Sequence, residues 1–235
     1  MKLIDVSHII EPGMPVFSDQ APQPWIGPWM SHSQAASSGH YLNCTCEVSE
    51  VHFVTSLGTY LDSPYHFDPD GLSIEGLNLE QLILPGIVVD CTHVEARQEI
   101  GPDVLSDIAI EGMAVLFRTD WSQYWGQQRY YDFPYLTAAT AKVLKDQGAK
   151  MIGVDTLVVD DLSNPERPVH VTLLNHNILI VENLTNLAAL PACSGNFTFH
   201  AVPVKFKGAA AFPVRAYAHV ELSNLEKNNL SYKGP

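Results

Sequence analysis

A carboxylate and an imidazole stand four residues apart in a segment that is poorly suited to regular secondary structure. Asp62 and His66 are separated by Pro64, and Gly58 precedes them. Glycine permits close backbone approach and proline stiffens the exit, so this segment can direct side chains into a cleft. An imidazole transfers protons near neutral pH, and a carboxylate can bind a metal ion. We therefore expect the chemistry of this protein to lie in this segment.

A second imidazole and carboxylate follow later in the chain. His170 opens a short amphipathic segment, and an apolar β-like run then leads directly to Glu182. A helix, turn and strand in this order can bring the two side chains together. A histidine beside an apolar helix is usually a packed core residue, but a glutamate that ends an apolar strand is harder to explain. A buried carboxylate without a cation or donors is costly.

The segment around Asp62 resembles the signature H-x-G-T-H-x-D-x-P-x-H of the cyclase family of metal-dependent hydrolases, which includes bacterial kynurenine formamidases and isatin hydrolases. The matching residues are Gly58, Thr59, Asp62, Pro64 and His66. Ser56 and Tyr60 stand where the family has its first two histidines. The segment from His170 through Glu182 resembles the family's other metal-binding segment, and shorter matches extend the likeness from about residue 4 to residue 220.

The resemblance implies a cofactor, one divalent metal ion, zinc or manganese. With two signature histidines replaced, the remaining candidate ligands are Asp62, His170 and Glu182. Three mixed oxygen and nitrogen ligands with an open position are a recognised arrangement for a catalytic divalent ion.

The other site residues are also assigned through the resemblance. His66 stands at the family's acid/base position. Ser56 and Tyr60 are expected to donate hydrogen bonds to the substrate or to water, because a neutral hydroxyl is a poor zinc ligand. Phe17 matches an aromatic residue that lines the family's substrate pocket, although an aromatic in a loop is more often a core residue.

The implied activity is hydrolysis of an amide, formamide or lactam bond in a small molecule, with His66 protonating the leaving nitrogen. The replacements at Ser56 and Tyr60 leave an alternative open. In that alternative, the chain is a degenerate family member that binds a small ligand or a metal, or acts as an assembly subunit, without turnover. The retained Asp62 and Glu182 favour the hydrolase.

Alternating strand and helix signals predict the elements that must position these residues. The clearest helix spans residues 137–147, with Thr137 as its N-cap and Gly148 after its end. Short helices are expected within 77–82 and 102–108. Strands are expected within 3–9, 41–55, 86–91, 115–118, 151–155, 178–181, 199–204 and 212–216. Arg118 and Asp155 are expected to be structural, as is His52.

The family resemblance implies a single α/β domain of the swivelling β/β/α type, with a mixed, barrel-like sheet core and flanking helices. We place this domain at residues 1–225, before a polar C-terminal tail at 226–235, and expect a homodimer or homotetramer. Trp25 and Trp29 lie in a proline-rich stretch, predicted to be a loop, that could cover the pocket or contact another subunit.

Composition excludes several other functions. The chain has 26 acidic and 13 basic residues, a net charge of −13, which opposes binding to nucleic acids and to anionic membranes. No apolar run is long enough to cross a bilayer. The four cysteines are predicted to be buried, reduced thiols of a cytoplasmic protein, and Cys44 and Cys46 to share one strand face. The other two are Cys91 and Cys193.

Overall fold

The structure is a computed structural model in which residues 1–18, 20–191 and 196–221 are described. Helices in these ranges are short and strands dominate. The helices are α1 (His32–Ser37), α2 (Leu79–Leu82), α3 (Ala138–Asp146) and α4 (Pro168–Leu174). The strands are β1 (Lys2–Asp5), β2 (Trp25–Met30), β3 (Val48–His52), β4 (Tyr60–Asp62), β5 (Ile83–Asp90), β6 (Glu99–Ile100), β7 (Ala114–Arg118), β8 (Tyr135–Leu136), β9 (Met151–Val154), β10 (Leu179–Glu182), β11 (Phe197–His200), β12 (Ala211–Pro213) and β13 (Tyr217–Val220).

A nine-stranded sheet organises the molecule, in the order β1-β13-β11-β5-β7-β9-β10-β4-β12. Its four central strands, β5, β7, β9 and β10, run parallel, and the strands on either side pair antiparallel. The sheet curls into a half-barrel within a single α/β domain. This confirms the predicted mixed, barrel-like sheet with flanking helices. The predicted tail at 226–235 lies outside the described residues.

Both faces of β7, β9 and β10 are buried, which explains their apolar sequences. Ile152 and Ile180 pack on the face that also carries the apolar side chains of α3 and α4. Met151 and Val181, one residue away in each strand, pack on the opposite face. Successive side chains of a strand point to opposite faces, so an alternating polar pattern is absent where both faces have a partner.

The predicted helix at 137–147 is confirmed as α3, with both ends formed as expected. The backbone N–H of Thr140 donates to the Thr137 hydroxyl at 3.1 Å. At the other end Gly148 has a φ of +79°. The Gly148 N–H donates to the Lys145 carbonyl at 3.1 Å, and the Ala149 N–H donates to the Leu144 carbonyl at 3.0 Å. These two bonds form a Schellman motif, in which glycine adopts the left-handed conformation without strain.

The predicted loop around the two tryptophans is wrong, because residues 25–30 form strand β2. This strand pairs antiparallel with β3 to form a separate two-stranded ribbon. Trp29 is 66% exposed in it and Trp25 is 48% exposed. The predicted terminal strands overlap the observed ones but are shifted. The prediction at 199–204 shares only its first two residues with β11, which ends at His200, and the prediction at 212–216 begins within β12 and ends before β13.

The prediction for the cysteines is wrong in part. Cys44 is exposed and Cys46 is half-buried, in the segment before β3 rather than on one strand face. Cys91 is buried as expected, whereas Cys193 lies outside the described residues. In the described ranges, the helices are too short or too polar to span a bilayer.

Candidate active site

Two adjacent antiparallel strands bring the two predicted carboxylates onto one face of the sheet. In the register of β4 and β10, Tyr60 lies opposite Glu182 and Asp62 lies opposite Ile180. Directly opposed residues point to the same side of a sheet. All of strand β4 and all of strand β10 are buried. This face, which carries both carboxylates, is therefore formed by strands that are distant in sequence.

The start of β4 is fixed by contacts that require its particular residues. Gly58 has a φ of +62°, which a side chain would strain. Its carbonyl accepts a hydrogen bond from the Asn183 side chain at 2.8 Å. The Thr59 hydroxyl donates to the Asn183 carbonyl at 2.5 Å and accepts from the backbone N–H of His8 at 2.9 Å. These contacts tie the signature segment to the end of β10.

Asp160 positions His170. The Asp160 carboxylate accepts the backbone N–H groups of Val169 and His170 in the first turn of α4, at 2.9 and 3.0 Å. It also lies 2.6 Å from His170 Nδ1. Because this ring nitrogen is held by Asp160, the other nitrogen, Nε2, faces the sheet. His170 Nε2 lies 3.3 Å from Glu182 and 3.9 Å from Asp62.

Asp62 is a buried carboxylate with neither oxygen hydrogen-bonded to a described residue. It is fully inaccessible to solvent. Its nearest basic atoms are His66 Nε2, 3.7 Å away, and His170 Nε2. Burial raises the pKa of Asp62 well above its usual range, the nearby Glu182 adds to this, and His170 opposes it. A negatively charged Asp62 is costly here unless a cation or a donor compensates it.

Glu182 differs from Asp62 in having defined hydrogen-bond donors. The Tyr60 hydroxyl donates to one of its oxygens, and the backbone N–H of Val159 donates to the other at 2.8 Å. Burial and the nearby Glu182 raise the pKa of Tyr60 well above its usual value, so Tyr60 stays protonated. For His170, burial alone would lower the pKa. Its hydrogen bonds with Asp160 and Glu182 prevail and raise the pKa to about 10.

His66 lies at the mouth of the site, in a turn of 3₁₀ helix that follows β4. Its side chain is 31% exposed. Burial and the neighbouring His170 lower the pKa of His66. The ring of Phe67 contacts both histidines, edge-on to His66 and stacked on His170 with centroids 4.7 Å apart. A neutral imidazole with access to solvent therefore stands beside the buried carboxylates.

The site opens into a cavity of about 190 Å³. Six of the seven residues assigned from the sequence line it, and the seventh, Asp62, is buried next to His66 and His170. The lining residues are Phe17, Ser56, Tyr60, His66, His170 and Glu182, together with Phe67, Val158, Leu162 and Arg167, which the sequence did not indicate. Asp160 was also missed, since its role depends on where α4 begins.

The residues predicted to be structural lie outside this lining. His52 is exposed and bonded to Glu50 in β3. Arg118 forms two hydrogen bonds with Asp120, at 2.7 and 2.8 Å. Asp155 accepts hydrogen bonds from the backbone N–H and the hydroxyl of Thr119, which directly follows β7. Burial raises the pKa of Asp155 to about 6.

The residues of the site fit a divalent cation. Ligand atoms of Asp62, His66 and His170 all lie within 4.8 Å of one another. Three carboxyl groups, those of Asp62, Asp160 and Glu182, surround His170, and Asp62 has no described donor. A cation would supply the missing partner, and oxygen and nitrogen donors suit zinc and manganese.

The chain is similar to known proteins along most of its length. The chain is 29% identical to the kynurenine formamidase of Geobacillus thermodenitrificans over 215 residues, covering 91% of this chain and 95% of that protein. Its fold is similar to isatin hydrolase A from Labrenzia aggregata, with a TM-score of 0.81, 23% identity and coverage of 93% of both chains. It is also similar to a predicted metal-dependent hydrolase from Bacillus stearothermophilus, with a TM-score of 0.72, 26% identity and coverage of 92% and 97%.

The family model described as "Putative cyclase" matches residues 4–161. The match includes Ser56, Asp62 and His66 and ends just after Asp160, before His170. The likeness in fold to the solved structures covers 93% and 92% of the chain and therefore extends beyond residue 161. By this match over most of its length, the chain belongs to the putative cyclase family.

Proposed function

We propose that this protein is a metal-dependent amidohydrolase that cleaves a formamide, amide or lactam C–N bond in a small molecule. The observation that carries the proposal is the fully buried Asp62, which lacks a described donor and lies beside two imidazoles that line a cavity. The kynurenine formamidase and the isatin hydrolase to which the chain is similar support this reaction class.

We propose that Asp62, His170 and Glu182 bind one divalent ion, zinc or manganese. Asp62 and His170 also belong to the cluster that includes His66. We favour Glu182 as the third ligand because it is fully buried and held by fixed donors, whereas His66 is partly exposed. When bound, a divalent ion supplies a Lewis acid that polarises a carbonyl group and lowers the pKa of water.

His66 is proposed to be the acid/base residue. Its lowered pKa keeps the imidazole neutral at pH 7, so it can accept a proton from the attacking water. The protonated ring can then give that proton to the leaving nitrogen. Its position at the cavity mouth also allows exchange of protons with solvent.

The remaining lining residues orient the substrate. Ser56 and Phe17 line the cavity from the N-terminal third of the chain. The Ser56 hydroxyl is proposed to bind a polar atom of the substrate, and Phe17 to pack against its apolar part. Tyr60 donates to Glu182, which fixes one side of the proposed ligand set.

The test is hydrolysis of N-formylkynurenine, isatin and simple cyclic amides by purified protein, beside Asp62→Ala and Glu182→Ala. We expect turnover by the wild type and a loss of at least 100-fold in each variant. Equal traces of activity in all three proteins would contradict catalysis at this site and support the binding or assembly alternative.

We also propose that the protein assembles as a homodimer or homotetramer in the cytoplasm. The ribbon of β2 and β3 exposes Ile26, Trp29 and Val51, and an isolated two-stranded ribbon is only marginally stable in water. Free thiols at Cys44 and Cys46 favour a reducing compartment. Light scattering of wild type and of Trp29→Ser tests the assembly: a wild-type monomer would contradict it.

A further inference from the structure

The cavity contains one fixed cation that the proposed reaction does not use. Among the described residues that line the cavity, Arg167 is the one basic residue of the lysine or arginine type. Arg118, the last residue of β7, is already paired with both oxygens of Asp120. The guanidinium of Arg167 donates from Nη1 to the backbone carbonyl of Asp161 at 2.6 Å, which anchors one nitrogen. An arginine has further donors in a planar fork.

The backbone at Arg167 is strained. It adopts φ 45° and ψ 54°, in the left-handed region, immediately before Pro168. Few residues other than glycine, asparagine and aspartate adopt this conformation readily. Capping of α4 does not explain the arginine, because its side chain makes no cap hydrogen bond and Asp160 accepts the first N–H groups of the helix. Retained strain at a cavity is a reason to look for a functional role.

The rest of the lining indicates what Arg167 could bind. Phe17, Phe67, Val158 and Leu162 provide aromatic and aliphatic walls. The cavity measures about 190 Å³, and a cavity of about 150 Å³ is enough for benzene. The space therefore suits one substituted aromatic ring. On a chain with net charge −13, an anionic ligand needs a local cation to bind.

We propose that Arg167 determines specificity by binding the anionic group of an aromatic substrate, so that this enzyme prefers aryl amides that carry a carboxylate. The inference rests on the proposed function of the same cavity and names its substrate class. The guanidinium fork matches a carboxylate in a bidentate geometry, while the aromatic ring lies between Phe17 and Phe67. The scissile bond is then held near His66 and Asp62.

Binding of stable analogues tests the role of Arg167 without turnover. Titration calorimetry would compare benzoate with benzamide, which share the ring and differ in charge. We expect wild type to bind benzoate at least tenfold more tightly than benzamide. Arg167→Gln and Arg167→Asn should remove this preference, and Arg167→Lys should retain part of it. Arg215→Gln is the matched control, because Arg215 is an exposed arginine that pairs with Asp5 outside the cavity.

Each outcome has a defined meaning. Asparagine tolerates the left-handed conformation, so the melting temperature of Arg167→Asn should not fall below that of wild type, which excludes unfolding as a cause. Equal binding of benzoate and benzamide by wild type, or a benzoate preference that survives Arg167→Gln, would overturn the proposal. A preference that disappears on chelation but persists in Arg167→Gln would assign the anion to the metal instead, and also overturns it.

Kinetics separates this proposal from the proposed reaction. With 2-formamidobenzoate and formanilide as a charged and a neutral substrate, Arg167→Gln should raise KM at least tenfold for the first and less than twofold for the second. If wild type hydrolyses neither substrate but still prefers benzoate through Arg167, the anion site stands and the proposed reaction fails. If Arg167→Gln raises KM equally for both substrates, the proposed specificity role of Arg167 is wrong, whereas the proposed hydrolysis stands.

Discussion

Tyr60 and Glu182 face each other across the antiparallel pair β4 and β10, and the Tyr60 hydroxyl donates to the Glu182 carboxylate. Both side chains are buried, and Tyr60 stands where the family signature has a histidine. A tyrosine with a raised pKa remains a donor. At the position of a signature histidine, Tyr60 therefore supplies a hydrogen bond instead of a metal ligand. That bond holds Glu182, which is itself a proposed ligand.

Removing this donor should destabilise the metal-free protein. We expect Tyr60→Phe to lower the free energy of unfolding by about 1–3 kcal/mol, because a buried carboxylate loses a charge-assisted hydrogen bond. Tyr130→Phe is the control: Tyr130 is also fully buried, but its hydroxyl donates to the neutral Asn183 side chain at 2.8 Å. Urea unfolding measures both. A loss in Tyr60→Phe no larger than that in Tyr130→Phe would contradict the stronger bond.

Metal content should distinguish ligands from the acid/base residue. Protein purified without chelator or affinity nickel should hold close to one equivalent of zinc or manganese, measured by mass spectrometry. Asp62→Asn and Glu182→Gln should lose most of it, since each removes a charged ligand. His66→Gln should keep the metal and lose turnover. Loss of metal in His66→Gln with retention in Glu182→Gln would instead make His66 the third ligand.

Restoring the signature should restore a second metal position. Ser56 and Tyr60 both line the cavity, so histidines at these positions would reach the same space. We expect the double variant Ser56→His/Tyr60→His to bind about twice as much metal as the wild type, whereas Ser56→His alone should not. An unchanged stoichiometry in the double variant would show that the cavity lacks room for a second ion.

Asp160 should be needed to hold His170. The Asp160 carboxylate accepts three hydrogen bonds through its two oxygens, one of them from His170 Nδ1. Asp160→Asn replaces it by an amide, which has only one accepting oxygen. We expect a loss of about 1–3 kcal/mol in stability and a change in the NMR signals of the His170 ring. Asp161→Asn is the matched control, since this side chain bonds to Ser163 near the surface and should change stability by about 0.5 kcal/mol or less. Equal losses would exclude a special role for Asp160.

His8 should make stability depend on pH. Its ring stacks on Trp125 with centroids 3.8 Å apart, and burial lowers its pKa from 6.5 to about 4. Between these values the unfolded chain binds a proton that the folded protein does not, so stability falls as the pH drops from 6.5 to 4.

A phenylalanine at position 8 can stack but cannot titrate. We expect His8→Phe to abolish part of this loss, on the order of 1–2 kcal/mol after allowance for solvent at the half-buried ring. Urea unfolding at pH 7 and pH 4.5 measures it. His200→Phe is a control at a more exposed histidine that also stacks on an aromatic ring, Tyr217, and should show a smaller difference. Parallel pH profiles for wild type and His8→Phe would refute the assignment.

The local elements of this protein follow from its sequence. Helix α3 is determined by its own ends, because Thr137 supplies the cap oxygen and Gly148 tolerates a positive φ. The apolar runs of β7, β9 and β10 require a sheet covered on both faces, whichever strands are neighbours. Strand β2 was not predictable in this way, because it contains proline and exposed tryptophan and depends on β3 for its hydrogen bonds.

The sequence by itself also determined which residues could do chemistry: the carboxylates of Asp62 and Glu182 and the imidazoles of His66 and His170 are fixed by type and motif. Tertiary structure decided which of them meet and what their partners are. The register of β4 against β10, the hydrogen bonds from the first turn of α4 to Asp160 and the left-handed backbone at Arg167 depend on the tertiary structure. Because pKa values and free lone pairs depend on burial and on those contacts, only the fold distinguishes Asp62, which has no hydrogen bond to a described residue, from the hydrogen-bonded Glu182.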